Sequence, residues 1–213
     1  MSEDRQLFEA YLQKLNLENA EHIIGQFEHY LQLLSTANKN VNLVSRNIPI
    51  ERYWVQHFLD SLVALECLDL QEKTVLDFGT GGGLPGIPLK LAVPNMNITL
   101  LESVQKKAKV LTEFVDALGL SATSVETSRL EDYAFVARRP SYDYIVCRAI
   151  ALEERYLYPL RKLLKPSGMA VFYKAQKLDD VQDFNYEILL SENIPSLGTR
   201  KIIGIKQRNL IVH

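Results

Sequence analysis

The chain is short of the residues that build crosslinked or metal-held scaffolds. Its 213 residues contain two cysteines. Cys67 and Cys147 both sit in apolar segments, which fits a reducing compartment and excludes a disulfide framework or a cysteine metal cage. Long hydrophobic runs are missing too. No uninterrupted apolar stretch approaches the ~20 residues that a membrane-spanning helix needs, and no membrane role is expected. The opening MSEDRQLF lacks the basic-then-apolar order of a secretory signal, so a soluble, cytoplasmic protein is expected. Neither sign of charge dominates: 24 Lys and Arg face 26 Asp and Glu, a formal net charge of -2. That balance gives no global pull toward polyanions, so a nucleic-acid partner must be met by a local basic patch. Internal repeats, low-complexity tracts and long linkers are absent.

What is present is an ordinary globular composition, 47% apolar and 23% charged, long enough for one substantial domain with a full core. Residues 1–67 read as helical. In NAEHIIGQFEHYLQLLS, the residues Ile23, Ile24, Phe27, Tyr30, Leu31 and Leu34 recur at three- and four-residue steps, one stripe of a helix. The Asn-rich ANKNVNLVSRN breaks the pattern. Asn47 and Pro49 then suggest a cap and first turn for IPIERYWVQHFLDSLVALECL. From Thr74 the rhythm changes. KTVLDF, NITLLES, SATSVET, YDYIVCR and GMAVFYK are strand-like, and helix-like QKKAKVLTEFVDALG and ERYLYPLRKLL separate several of them. Such alternation predicts an α/β fold with a mainly parallel sheet. NYEILL and TRKIIGIK follow without an intervening helix, so an antiparallel pair is expected to close it. The division expected is a helical cap over residues 1–70 and an α/β domain over 71–213, forming one compact unit.

Five of the ten glycines fall in VLDFGTGGGLPGIPLK, residues 75–90. The loop follows the first strand, at the carboxyl edge where open α/β sheets bind ligands. A phosphate-binding P-loop is excluded because no Gly-Lys-Ser/Thr follows. Asp77-Phe78-Gly79 spells a kinase triplet without the accompanying kinase motifs. Two readings remain. Gly81, Gly83 and Gly86 satisfy G-x-G-x-x-G, the dinucleotide fingerprint. Asp77, Gly79, Gly81 and Gly83 satisfy D-x-G-x-G-x-G, the first motif of class I methyltransferases. A carboxylate at the strand end suits the cationic amine of S-adenosylmethionine and repels a pyrophosphate. Glu102 ends the second strand, where an acid accepts hydrogen bonds from ribose hydroxyls in either case. Asp77 and the antiparallel closing pair favour S-adenosylmethionine.

FGTGGGLPGIPLK, with QHFLDSL upstream and CRAI downstream, resembles the bacterial small-subunit ribosomal RNA methyltransferase G family, also called glucose-inhibited division protein B. The resemblance runs from about Asn42 to the IIGIK strand. It implies a class I S-adenosylmethionine-dependent fold, Rossmann-like, with a seven-stranded sheet, an antiparallel last strand and an N-terminal helical cap. It also implies methyl transfer to ring nitrogen 7 of a guanine in 16S ribosomal RNA. Carried over by position, Gly79 and Leu84 would line the cofactor pocket, Leu130 and Glu131 would flank the adenine, and Arg148 would face cofactor and incoming base. Two positions depart from the family pattern: Gln56 stands where a basic residue is common, and Ala175 where the fifth strand often ends in Lys-Gly.

The chemistry agrees with that implication. Ring nitrogen 7 carries a free lone pair at neutral pH and loses no proton on methylation, so positioning does the work and no catalytic dyad is required. Exocyclic-amine methylation goes with an Asn/Asp-Pro-Pro-aromatic stretch where this chain has CRAI. Carbon-5 methylation needs a nucleophilic cysteine; Cys147, on a buried strand, reads as core. Lys106, Lys107, Arg129, Arg148 and Lys174 fall at the binding edge, and Arg46 and His57 could come from the cap. Arg200 and Lys201 lie in a C-terminal stretch that holds no acid. His57, beside Phe58 and Leu59, reads equally as a core residue. Small-subunit ribosomal RNA within a particle is the expected partner, met by a monomer, because weak net charge favours a folded substrate offering shape. The rival readings are a same-fold methyltransferase with another substrate, an NAD-linked oxidoreductase and a non-catalytic RNA-binding module.

Overall fold

A computed structural model describes residues 2–17 and 19–211. Helix α1 (Glu3–Lys14) is capped by Ser2, whose side chain accepts from the Arg5 amide. Helix α2 (Ala20–Asn38) buries Ile23, Phe27, Tyr30 and Leu34, the stripe read from the sequence. The segment that follows is helical but broken. A 3₁₀ turn at Ile50–Arg52 has Pro49 at its start, and π-helix Trp54–Leu59, α3 (Asp60–Leu62) and a second 3₁₀ turn, Val63–Glu66, complete it. The widened turn tilts backbone carbonyls away from regular i→i−4 pairing, and they are used below.

Seven strands follow: β1 (Thr74–Phe78), β2 (Asn97–Glu102), β3 (Thr123–Thr127), β4 (Tyr142–Arg148), β5 (Leu164–Lys174), β6 (Glu187–Ile194) and β7 (Gly198–Lys206). They lie in the order β3-β2-β1-β4-β5-β7-β6. β1 to β5 are parallel, and β7 runs antiparallel to both β5 and β6. Helices α4 (Gly86–Ala92), α5 (Gln105–Ala117), α6 (Leu130–Val136) and α7 (Glu154–Leu163) connect them. Helix α6, in the SRLED stretch, is too short to announce itself by periodicity.

Strand alternation sorts the core onto two faces. Val75, Ile98, Leu100, Val146, Val171, Tyr173 and Ile202 face the cap, α4 and α5. Leu76, Phe78, Leu101, Ile145, Cys147, Phe172 and Ile203 face α6 and α7. The first cluster runs unbroken from Phe8 and Phe58 into Leu100 and Ile202. Residues 1–70 therefore supply half of a shared core. Among the described residues, no helix is long and apolar enough to cross a membrane, and no cluster of three metal-binding side chains occurs.

Candidate cofactor and RNA site

The glycine loop is held from three directions. Asp77 is fully buried, and its Oδ2 accepts from Thr80 Oγ1 at 2.6 Å and from the Gly86 amide at 2.7 Å. A Cβ on Gly86 would lie 2.6 Å from that oxygen, so only glycine permits this latch. Gly79, Gly81 and Gly83 have φ of 71°, 57° and 95°, the left-handed region that glycine alone enters without strain. From beneath, the Gly81 amide donates to Glu102 Oε2 at 3.1 Å, while Oε1 accepts from the Val104 amide. From the cap, Tyr30 donates its hydroxyl to the Gly82 carbonyl at 2.7 Å, with Leu34, Leu43 and Val44 packed against Gly82.

Beside this loop lies a cavity of about 250 Å³ lined by Phe78, Gly79, Ser103, Arg129, Leu130, Glu131 and Tyr156 among others. Its size is below that of a whole ligand pocket, ~300–1,000 Å³, and suits one end of a nucleoside cofactor. The residues fit S-adenosylmethionine. Asp77 and Glu102 lie beneath the loop rather than in the cavity lining; Asp77 Oδ1 is buried with no partner, a carboxylate oxygen with hydrogen-bonding capacity to spare for a cationic amine. Glu102 uses two of its roughly four acceptor sites on backbone amides, leaving others for ribose hydroxyls. Burial pushes the Asp77 carboxyl up to about 6, opposed by Thr80, Gly86 and the Arg148 charge. A larger cavity, about 470 Å³, lies at the opposite, amino-terminal ends of β2 and β3 and touches none of these groups.

The structure redirects several expected residues. Leu84 is 5% exposed and belongs to the core shared with the cap, so it does not line the cavity. Arg148 also lies outside the cavity lining. Its Nη1 meets Asp60 Oδ2 at 3.0 Å and makes long contacts to the Gln56 and His57 carbonyls of the π-helix. Arg200 Nε takes the other oxygen, Asp60 Oδ1, at 2.6 Å. One carboxylate thus fastens β4, β7 and the cap together. Lys174 pairs with Asp180 inside the fold. His57 is buried, and burial with the nearby Arg148 charge pushes it down to about 4. A neutral, enclosed imidazole does not serve as an RNA cation, and His57 packs as a residue of the cap core. Arg129, Lys106 and Arg46 are exposed, and Lys107 and Lys201 half-buried. Arg46 donates to the Asn38 and Lys39 carbonyls at the end of α2.

Sequence reasoning missed Asp60, although it stands in the quoted QHFLDSL, because nothing local shows that two distant arginines converge on it. It also missed Tyr30 as a clamp, since its helical spacing reads as core. Arg155 and Tyr156, which close the cavity, had no motif to mark them.

A seven-stranded sheet of this order, with a glycine loop after β1 and an acid ending β2, defines the S-adenosylmethionine-dependent methyltransferases. Solved structures agree on the fold. A SAM-dependent methyltransferase from Aquifex aeolicus superposes with TM-score 0.54 at 16% identity, covering 72% of this chain and 92% of that one. Precorrin-6y C5,15-methyltransferase from Geobacter metallireducens gives TM-score 0.55 at 12% identity, covering 79% and 95%. Sequence goes further: the model of the GidB family, rRNA small subunit methyltransferase G, matches residues 23–210. The ribosomal RNA small subunit methyltransferase G of Syntrophus aciditrophicus is 30% identical over 96% of this chain and 89% of its own length. That of Alteromonas mediterranea is 33% identical over 92% and 93%. That of Desulforamulus reducens is 37% identical over 72% of this chain, an alignment spanning 65% of the relative's length. The chain belongs to the rRNA small subunit methyltransferase G family, and its cofactor is S-adenosylmethionine.

Proposed function

We propose that this protein transfers the methyl group of S-adenosylmethionine to ring nitrogen 7 of a guanine in small-subunit ribosomal RNA, acting as a cytoplasmic monomer on a ribosomal particle. Family membership over residues 23–210 supports the enzyme class and the RNA. The acceptor atom rests on the end of β4. There Cys147 is 1% exposed, and burial raises its thiol far above the usual range, which disfavours the thiolate that carbon-5 methylation requires. The next residues are Arg148, Ala149 and Ile150, a sequence with no carboxamide or carboxylate to receive an exocyclic amine. A ring nitrogen asks for neither a thiolate nor a base.

In this reading S-adenosylmethionine supplies the electrophilic methyl group. The chain's own residues bind and orient. Asp77 attracts the amine, Glu102 receives the ribose hydroxyls, and Leu130 with Phe78 encloses the adenine. Arg129, Lys106 and Lys107 meet phosphates, with Arg46 and Lys201 further out. Arg148 acts through position, pinning the cap across the loop. The test uses small subunits from cells lacking this gene, incubated with methyl-tritiated S-adenosylmethionine. Label is expected in 7-methylguanosine, in particles above protein-free RNA. Label in another nucleoside overturns the acceptor assignment.

A further inference from the structure

Helices α6 and α7 carry an exposed strip that starts at the cavity mouth and runs away from the cofactor site. Phe135 is 82% exposed, Val136 72% and Tyr158 66%, the three most exposed large apolar side chains among the described residues. Their neighbours are cations. Arg138 and Arg139 follow Val136 and share a shallow cleft with it. Lys162 Nζ donates to the Phe135 carbonyl at 3.1 Å, which sets the carboxyl ends of α6 and α7 side by side. Arg155 Nε lies 4.0 Å from Glu131 at the amino ends. On α7, Arg155, Tyr158 and Lys162 follow at three- and four-residue steps, one ridge along the helix. On α6, Glu131 and Phe135 form the adjacent ridge.

The strip therefore has two unlike ends. Its beginning is the cavity mouth, where Glu131 and Glu153 flank Arg155, which pairs with Glu153 at 3.0 Å. About 10 Å further, at 1.5 Å rise per residue, it becomes aromatic and basic. There Arg138, Arg139, Arg161 and Lys162 make no ion pair among the described residues. Cations at the end of α7 complement its dipole, which accounts for Arg161 and Lys162. It accounts for neither Arg138 and Arg139 nor for a phenylalanine left in water.

We propose that this strip holds a single-stranded segment of the substrate RNA, with bases stacked on Phe135 and Tyr158 and phosphates at Arg138, Arg139 and Arg161. Aromatic faces combined with unpaired cations are what an unstacked strand requires, since every base offers a face to stack and a phosphate to neutralise. The strip rests on the reading of ribosomal RNA as substrate and extends it from the site to the flanking strand.

The test measures binding, so that it stands apart from the acceptor assignment. Affinity for small subunits, and for the protein-free ribosomal RNA of those subunits, is measured across salt for the wild type, Phe135→Ser/Tyr158→Ser and Arg138→Gln/Arg139→Gln. S-adenosylmethionine affinity serves as the folding control and is expected to stay within twofold. Both variants are expected to lose at least tenfold on both ligands. The arginine variant is also expected to flatten the salt dependence by ~0.7 for each phosphate it no longer neutralises. Unchanged affinity overturns the proposal. A loss on subunits but not on RNA also overturns it, because the strip then docks a ribosomal protein. If the wild type binds subunits yet transfers no methyl group to them, the acceptor assignment fails and the binding comparison still decides the strip.

Discussion

The two halves of the sheet's carboxyl edge are built differently. At β1 and β2, the site is made of backbone held by short-range bonds: Asp77 to Thr80 and Gly86, Glu102 to Val104, and left-handed glycines between. At β4 and β7, it is made of long charged side chains tied to partners far away in sequence, and at β5 of a lysine tied to the loop that follows it. Arg148 and Arg200 reach Asp60 across 88 and 140 residues, and Lys174 is locked to Asp180. The first half is the surface proposed to take the cofactor. The second clamps the cap over it, so residues that look like RNA cations serve as fasteners.

The largest expected effect tests the clamp. Asp60→Ala leaves two guanidiniums, 14% and 25% exposed, without their carboxylate. Removing one partner of a buried pair costs ~3–5 kcal/mol; with partial exposure, about 3 kcal/mol is expected in urea denaturation. Asp60→Asn should lose less, since it still accepts one hydrogen bond.

Next comes a pair of opposite pH effects. Asp77 is held up near 6 against an ordinary 3.8, so the fold keeps a proton that the unfolded chain releases. Its contribution to stability is fullest below pH 4 and declines as pH rises toward 6. His57 is held near 4 against 6.5, so the unfolded chain takes a proton that the fold refuses. Its contribution declines as pH falls from about 6.5 toward 4. Each is worth roughly 3 kcal/mol at ~1.4 per pH unit, and in the wild type they largely cancel between pH 4 and 6. Asp77→Asn should make stability fall steeply on acidification, and His57→Gln should reverse the slope. Urea midpoints at pH 4.5, 5.5 and 6.5 read both.

Gly86→Ala presses a methyl group onto Asp77 Oδ2 and Leu100. A loss of about 1–2 kcal/mol is expected from crowding, with S-adenosylmethionine affinity falling at least tenfold by calorimetry. The smallest effect belongs to Lys106→Gln at the exposed start of α5. Stability should stay within about 0.5 kcal/mol, while small-subunit affinity drops about two- to threefold at low salt and less at high salt.

This contrast also explains what the sequence disclosed. The seven strands, the glycine loop and Glu102 were legible because each depends on residues close in sequence, where alternation and glycine spacing dictate the backbone. Leu130 and Glu131 were reached through resemblance, and both line the cavity. Leu84 and Arg148 were reached through the same resemblance, while Lys174, Arg200 and His57 were placed by residue type and by position near the binding edge, the C-terminal stretch or the cap. Their side chains answer instead to the cap core, to Asp60, which only the fold brings near, and, for Lys174, to Asp180 in the loop that follows its strand. The π-helix at Trp54–Leu59 was hidden for the same reason, since amphipathic spacing over six residues does not separate it from an α-helix.

The most direct test of this division is S-adenosylmethionine binding by calorimetry to the wild type, Glu102→Ala and Arg148→Met. Glu102→Ala is expected to weaken binding at least a hundredfold, because the acid holds the Gly81 amide of the loop and, in the proposed reading, receives the ribose hydroxyls. Arg148→Met, of similar volume, is expected to keep cofactor affinity within a few-fold while losing stability, because Asp60 Oδ2 loses its partner and only the Arg200 pair on Oδ1 remains. Equal loss of cofactor binding in both variants would contradict the account, placing Arg148 against the cofactor rather than the cap.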